Sequence, residues 1–216
     1  LYPADASGHA VLERNALVER LFLARQQRIL LLNAPAGFGK STILSLYRQR
    51  LIQEGATVAW LSCDESDSEP LRLLQYISAA IVEVLPDFNL SVGDILPGDV
   101  SCSPQALVDA LVVELKRLSG ELYLIIDDFH LVRHPQIGQA VRYLMEKMPS
   151  SLHLISSSRY QPSFVEGEPG VLCLQAEDLR LGAAEIELYL NQIKQLDLSQ
   201  ADLTLIQQRT EGWIAG

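Results

Sequence analysis

Basic charge is scarce in this sequence. Its 17 lysines and arginines stand against 27 aspartates and glutamates, for a formal net charge of −10. Such a surface repels nucleic-acid phosphates instead of displacing their counterions, which argues against sequence-independent DNA binding. It leaves open a phosphate held locally by backbone amides. Metal-ligand patterns are lacking as well. Cys63, Cys102 and Cys173 are far apart, no CxxC occurs, and His9, His130, His134 and His153 fall in no zinc spacing. Buried free thiols in a reducing compartment are expected. Long apolar runs are missing too. The longest unbroken aliphatic stretch is residues 29–32, far short of the roughly 20 residues that a membrane helix needs. No charged-then-apolar signal opens the chain, so the expected location is cytoplasmic, with no membrane partner.

What remains is a globular balance, 48% hydrophobic and 20% charged over 216 residues. That length suits about 1.4 domains. Ile29-Leu30-Leu31-Leu32-Asn33 reads as a strand buried on both faces, ending in the turn Ala34-Pro35-Ala36-Gly37-Phe38-Gly39. After Lys40-Ser41-Thr42, the positions Ile43, Leu44, Tyr47 and Leu51 take helical spacing. Further strands are predicted over 57–61, 122–126, 152–156 and 171–174. Helices are predicted behind Pro70 and behind Ser103-Pro104, an N-cap followed by proline at the first helical position. Residues 137–148 carry another helical stripe, and 86–101 read as a long loop. The alternation predicts an α/β fold with an open parallel five-stranded sheet covered by helices on both faces. After Gln175 the pattern turns helical, with Ile186, Leu190, Ile193 and Leu196 on one helix and Leu203 and Ile206 on the next. A boundary is therefore expected between a nucleotide-binding domain, 1–176, and a small helical subdomain, 177–216. The chain is expected to be part of something longer.

The segment Ala34–Ser41 fits the P-loop pattern G-x-x-x-x-G-K-[ST], with Ala34 in place of the first glycine. Consecutive amides of such a loop turn inward around a β-phosphate, and the following helix N-terminus adds partial positive charge. Pro35, Ala36, Gly37, Phe38, Gly39, Lys40, Ser41 and Thr42 are thus the candidate phosphate site. Lys40 is expected to reach the β/γ oxygens, and the Ser41 hydroxyl to hold Mg2+. Gly37 and Gly39 are the positions where a side chain would block close approach or a positive φ.

Asp127 and Asp128 end the strand predicted over 122–126. An aspartate placed like Asp127 serves Mg2+ in P-loop proteins, and a second acid like Asp128 can activate water, which suggests hydrolysis. Both can instead cap a turn. Arg159 follows Ser156-Ser157-Ser158 at the ligand-side edge of the sheet. There it can contact a γ-phosphate, or be a surface arginine in a serine-rich turn. Asp64, Glu65 and Asp67 point to the same edge, as magnesium neighbours or as a solvated acidic loop. Leu118-Ser119-Gly120-Glu121 echoes a transporter-ATPase signature, but it follows a helix and leads into a strand, so it reads as a turn. His130, Met145 and Met148 read as packing residues.

These motifs, in this order, resemble the signal-transduction ATPases with numerous domains, in particular the maltose-regulator-like branch of LuxR-type transcriptional regulators. Val11-Leu12-Glu13-Arg14 with residues 17–21 resembles that family's leading helix. Residues 59–70 resemble its second strand and acidic loop, with Cys63 and Glu69 as departures. Residues 125–130 resemble its Walker B, and Glu177-Asp178-Leu179-Arg180 and Thr210-Glu211-Gly212-Trp213 its later markers. The resemblance covers about residues 11–216. It implies a regulatory ATP/ADP switch that uses Mg2+, closed with ADP and self-associating with ATP, and reset by slow hydrolysis. It implies an inducer acting through a sensor outside this chain and DNA contact only through a domain not in it. It also implies adenine contacts near Leu12 and Arg14, mostly through backbone. Two other readings stand beside it: a small-molecule or nucleotide kinase, and a binding module without turnover. Against a kinase, residues 86–103, the natural lid, hold no arginine or lysine.

Overall fold

A computed structural model describes residues 12–88 and 103–213. Val11, Cys102, most of the predicted 86–101 loop and the last three residues lie outside the described part. Five strands, β1 (Ile29–Asn33), β2 (Thr57–Ser62), β3 (Leu122–Asp127), β4 (Leu152–Ser158) and β5 (Val171–Gln175), form one sheet in the order β2-β3-β4-β1-β5. All of its pairings are parallel. β1 therefore lies between β4 and β5, and β4 separates it from β3. The predicted fold class is the one observed.

The strands are mostly apolar because both faces are covered, with polar residues gathered chiefly at their carboxyl ends, and alternate residues serve opposite cores. Ile29, Leu31, Ala59, Leu61, Leu122, Leu124, Leu152 and Leu154 belong to one cluster, which α3 (Pro70–Val84), α4 (Pro104–Leu115) and α5 (Pro135–Lys147) complete with Leu74, Leu111 and Leu144. Leu30, Leu32, Val58, Trp60, Tyr123, Ile125 and Ile155 face the other way. There they meet α1 (Asn15–Leu23) and α2 (Lys40–Gln53) through Leu21, Ile43 and Tyr47. α3, α4 and α5 each open with proline, whose missing N–H costs nothing at a first helical position. The Ser103 hydroxyl caps α4 by accepting from the Ala106 amide at 3.2 Å. Met145 and Met148 are core residues, and residues 118–121 form the bend that leads into β3 rather than a helix start. Cys63 is buried and Cys173 half-buried, both as free thiols. Among the described residues no helix is long and apolar enough to cross a membrane.

Behind β5 come α6 (Ala176–Leu179), α7 (Ala183–Glu187), a π-helical stretch (Leu188–Ile193) and α8 (Gln200–Thr210). The helix expected to run on to Leu196 stops at Ile193. Gln195 and Asp197 take left-handed φ values of 55° and 49°, and Leu196 is exposed. Helical spacing persists in the sequence there, but the backbone has already turned. Leu181, Ile186 and Leu203 pack into a third small cluster together with Leu12 from the other end of the chain.

Arg14 ties that cluster to the segment that follows β5. Its buried guanidinium meets both Glu185 oxygens at 2.9 and 3.2 Å and donates to the Leu179 and Arg180 carbonyls at 2.7 and 2.9 Å. Its side chain is thus fully used in packing, and so is that of Leu12. An adenine contact at either residue is left to the backbone. Arg14→Ala would strand two backbone acceptors and one carboxylate. The expected loss is about 3 kcal/mol, the low end for breaking a buried pair because Glu185 keeps some water contact. Denaturant unfolding measures it, and a loss below about 0.5 kcal/mol, the ordinary surface range, would contradict the fastening role.

Candidate phosphate-binding site

The carboxyl ends of β1, β4 and β3 lie side by side, and the predicted site residues apart from Leu12 and Arg14 come from these strand ends and the segments that follow them. The turn after β1 holds left-handed Gly37 (φ 79°) and Gly39 (φ 72°), and Gly39 caps α2. Both glycines occupy a region that side chains disfavour. α2 begins at Lys40, so its first free amides stand beside the loop. Pro35, Ala36 and Gly37 are exposed, Phe38 and Gly39 half-buried, and Ser41 and Thr42 exposed. Lys40 is only 6% exposed, and its Nζ donates to the carbonyls of Ala34 at 2.7 Å and Pro35 at 2.9 Å. Burial lowers its pKa, Asp128 and Asp127 oppose that, and Arg159 adds to it.

Asp127 ends β3 and is buried. Burial raises its carboxyl above the ordinary range, against hydrogen bonds from the Ser157 and Ser41 hydroxyls. Ser157 comes from β4, the strand between β1 and β3, and donates directly to Asp127 Oδ1. Three chain segments therefore meet at one carboxylate. Asp128 follows in the left-handed region (φ 54°), which aspartate tolerates better than most residues. Its amide donates to Ser157 Oγ at 2.9 Å and to Asp127 Oδ1 at 3.1 Å, and its side chain stays 41% exposed. The turn thus separates the two acids, one buried among hydroxyls and one facing water.

Arg159 is exposed where β4 ends, near enough to influence Lys40 and His130 electrostatically. Asp67 is turned inward instead, accepting from the Asp64 amide at 2.8 Å, while Asp64 and Glu65 are exposed. So Asp67 holds the acidic loop's own turn, while Asp64 and Glu65 face solvent.

The sequence alone assigns no site role to four residues that the structure places here. Ser157 reads from sequence only as one of three serines before Arg159, yet three buried serines inside a strand are a signal in themselves. His130, expected to be a packing residue, places Nδ1 3.7 Å from Asp128 Oδ1, and neither buried ring nitrogen has a hydrogen-bond partner. Burial lowers its pKa. The Tyr160 hydroxyl donates to the His130 carbonyl at 2.8 Å, and the two rings meet edge to face. Trp213, from the far end of the chain, donates its indole N–H to the Ala36 carbonyl at 3.1 Å.

The oxygen set fits a hard cation bound together with a phosphate: one hydroxyl, Ser41, in contact with one buried carboxylate, Asp127. Such a cation takes its remaining ligands from phosphate and water, so no larger protein cage is required.

Over 211 residues the chain is 30% identical to the HTH-type transcriptional regulator MalT of Yersinia pestis (strain Pestoides F), which covers 93% of this chain and 22% of that protein. It is 29% identical over 217 residues to the serine/threonine-protein kinase PknK of Mycobacterium tuberculosis, covering 99% of this chain and 20% of that protein. The chain thus spans about a fifth of these relatives. The Orc1 protein of Aeropyrum pernix, solved in complex with DNA, shares the fold with a TM-score of 0.55 at 19% identity, over 96% of this chain and 57% of that one. Residues 12–156 match the AAA ATPase domain. With the phosphate loop and the strand-end acids on one edge of the sheet, the chain belongs to the AAA ATPase domain family.

Proposed function

We propose that this chain is the nucleotide switch of a LuxR-type transcriptional regulator, binding ATP or ADP with Mg2+ and hydrolysing ATP slowly. The convergence of Lys40, Ser41, Asp127, Asp128 and Arg159 at the ends of β1, β3 and β4 supports this reading. The relationship to MalT supports the regulatory context. In this reading the ADP form is closed and the ATP form self-associates in the cytoplasm. Inducer and DNA act through other parts of the whole protein. The chain divides near residue 177 into the nucleotide-binding domain and a helical subdomain. Among the described residues no side-chain arrangement favours a kinase reading, and the chain spans only a fifth of the kinase relative.

ATP supplies the transferable γ-phosphoryl group, and Mg2+ the positive charge that offsets its oxygens. The protein's part is positioning. Lys40 exchanges its two carbonyl partners for phosphate oxygens, which is feasible because both are neutral acceptors from its own loop. Ser41 and Asp127 hold the cation. Asp128, exposed and next to His130, holds the attacking water and takes its proton on the carboxylate. Arg159 reads the third phosphate.

Asp127 and Asp128 should separate in experiment. Since Asp127 has a raised pKa in the fold, its ionised form destabilises the protein at neutral pH, and stability falls as pH rises from the ordinary value of 3.8 through the folded value. Asp127→Asn should therefore raise the thermal midpoint without nucleotide or Mg2+ at pH 7, with the gain shrinking as pH falls toward 3.8. It should also weaken Mg2+-dependent ATP binding roughly 10- to 150-fold, the worth of one charged contact. Asp128→Asn should leave affinity intact and lower turnover at least roughly 100-fold. Identical effects of the two substitutions on binding and rate would contradict the division of roles.

Arg159→Ala should weaken ATP roughly 10- to 150-fold and leave ADP nearly untouched. Calorimetric titration of both nucleotides against wild type and variant tests this. Equal losses, or none, would make Arg159 a turn residue.

A further inference from the structure

Trp213 reaches the phosphate loop along a path set by backbone. α8 ends in two successive left-handed residues, Glu211 (φ 52°) and Gly212 (φ 78°). The Gly212 carbonyl accepts from the Leu181 amide at 2.9 Å, and Arg180 pairs with Glu211 at 2.9 Å. The Arg180 and Leu179 carbonyls are held in turn by buried Arg14. A Cβ on Gly212 would come within 2.6 Å of the Leu181 carbonyl oxygen and 2.9 Å of its amide nitrogen, so only glycine allows this approach. The Trp213 amide closes the turn onto the Thr210 carbonyl at 2.9 Å. The two sequence markers around residues 180 and 212 are therefore halves of one contact, and its product is the position of an indole.

That indole holds the one loop carbonyl next to those Lys40 takes. Lys40 Nζ binds the carbonyls of Ala34 and Pro35, and Trp213 Nε1 binds that of Ala36. The Phe38 ring lies 6.5 Å from the indole at 30°. The two anchors differ in kind. An arriving phosphate competes for the ammonium of Lys40 but has little pull on a neutral indole N–H already bonded to a carbonyl. In a planar trans peptide the C=O and N–H point in opposite directions. Fixing the Ala36 carbonyl toward Trp213 therefore fixes the Gly37 N–H away from it. Gly37 tolerates both signs of φ at little cost, so without this anchor that peptide can rotate.

We propose that Trp213 is a positioning residue for the phosphate loop, setting the Ala36–Gly37 peptide so that the Gly37 amide serves the β-phosphate of a bound nucleotide. This rests on the reading of the loop as a nucleotide site. It also makes the end of the helical segment a structural part of the phosphate site.

Competition against a fluorescent ADP analogue, with ADP and AMP as competitors, tests the proposal on wild type, Trp213→Phe and Gly212→Ala. Trp213→Phe keeps a ring and removes the donor. ADP should bind it roughly 2- to 12-fold more weakly, the worth of one neutral hydrogen bond. AMP has no β-phosphate and should be unaffected, so the ADP-to-AMP affinity ratio falls. Gly212→Ala displaces an unaltered tryptophan and should lower the same ratio. An unchanged ratio in both variants would overturn the proposal, and so would equal losses of ADP and AMP, which would make the indole a wall for the base. Failure of the wild type to bind the analogue would instead remove the nucleotide reading, and this proposal with it.

Discussion

Three strand ends, β1, β4 and β3, lie next to each other, and the chemistry of this chain depends on that order. β4 stands between the strand that launches the phosphate loop and the strand that carries the acids. Ser157 on β4 can therefore donate to Asp127 while accepting from the Asp128 amide, so a single hydroxyl fixes the turn that separates the two carboxylates. Had β3 paired directly with β1, no intervening strand would stand between loop and acids to supply such a bridge. Burial in the five-stranded core holds this register together with the backbone ladders. Each strand divides its residues between two apolar clusters, and a slip of one residue would turn every side chain to the wrong face.

Charge at the site is concentrated but unevenly buried. Lys40 and Asp127 are almost fully enclosed, whereas Asp128 and Arg159 face water. Enclosure makes the ionised forms of the first pair costly, which burial expresses by lowering the lysine and raising the aspartate. Groups held at such a cost favour a ligand that completes their partners. The exposed pair is free to respond to what is bound. In the proposed reading the chain is strongly acidic overall and still offers a local seat for phosphate, because loop amides and one enclosed ammonium, not net charge, would make that seat.

Much of this was legible in the sequence. An apolar run ending in alanine, proline and two glycines before a lysine specifies a strand, a tight turn and a helix start, and the observed elements follow it closely. The strand ending at Asp127 and the prolines that open α3, α4 and α5 were legible for the same local reasons. Strand order was not, because local periodicity carries no information on which strands become neighbours. Ser157 was missed with it. Trp213 meets Ala36 across 177 positions, beyond any local pattern. Arg14 is expected near adenine mostly through its backbone, and what no local pattern announced is that its guanidinium binds Glu185 and two carbonyls. Leu196 kept helical spacing after the backbone had left the helix, since apolar periodicity records composition and not the left-handed residues on either side.

The central claim is that the turn after β1 holds a nucleotide through Lys40. Titrating a fluorescent ATP analogue into wild type and Lys40→Ala tests it most directly, with circular dichroism to show that both are folded. The account predicts saturable binding to the wild type and none to the variant at the same concentrations, because the ammonium serves the ligand and contributes no apolar contact to either core. Equal affinity for the two proteins would contradict it.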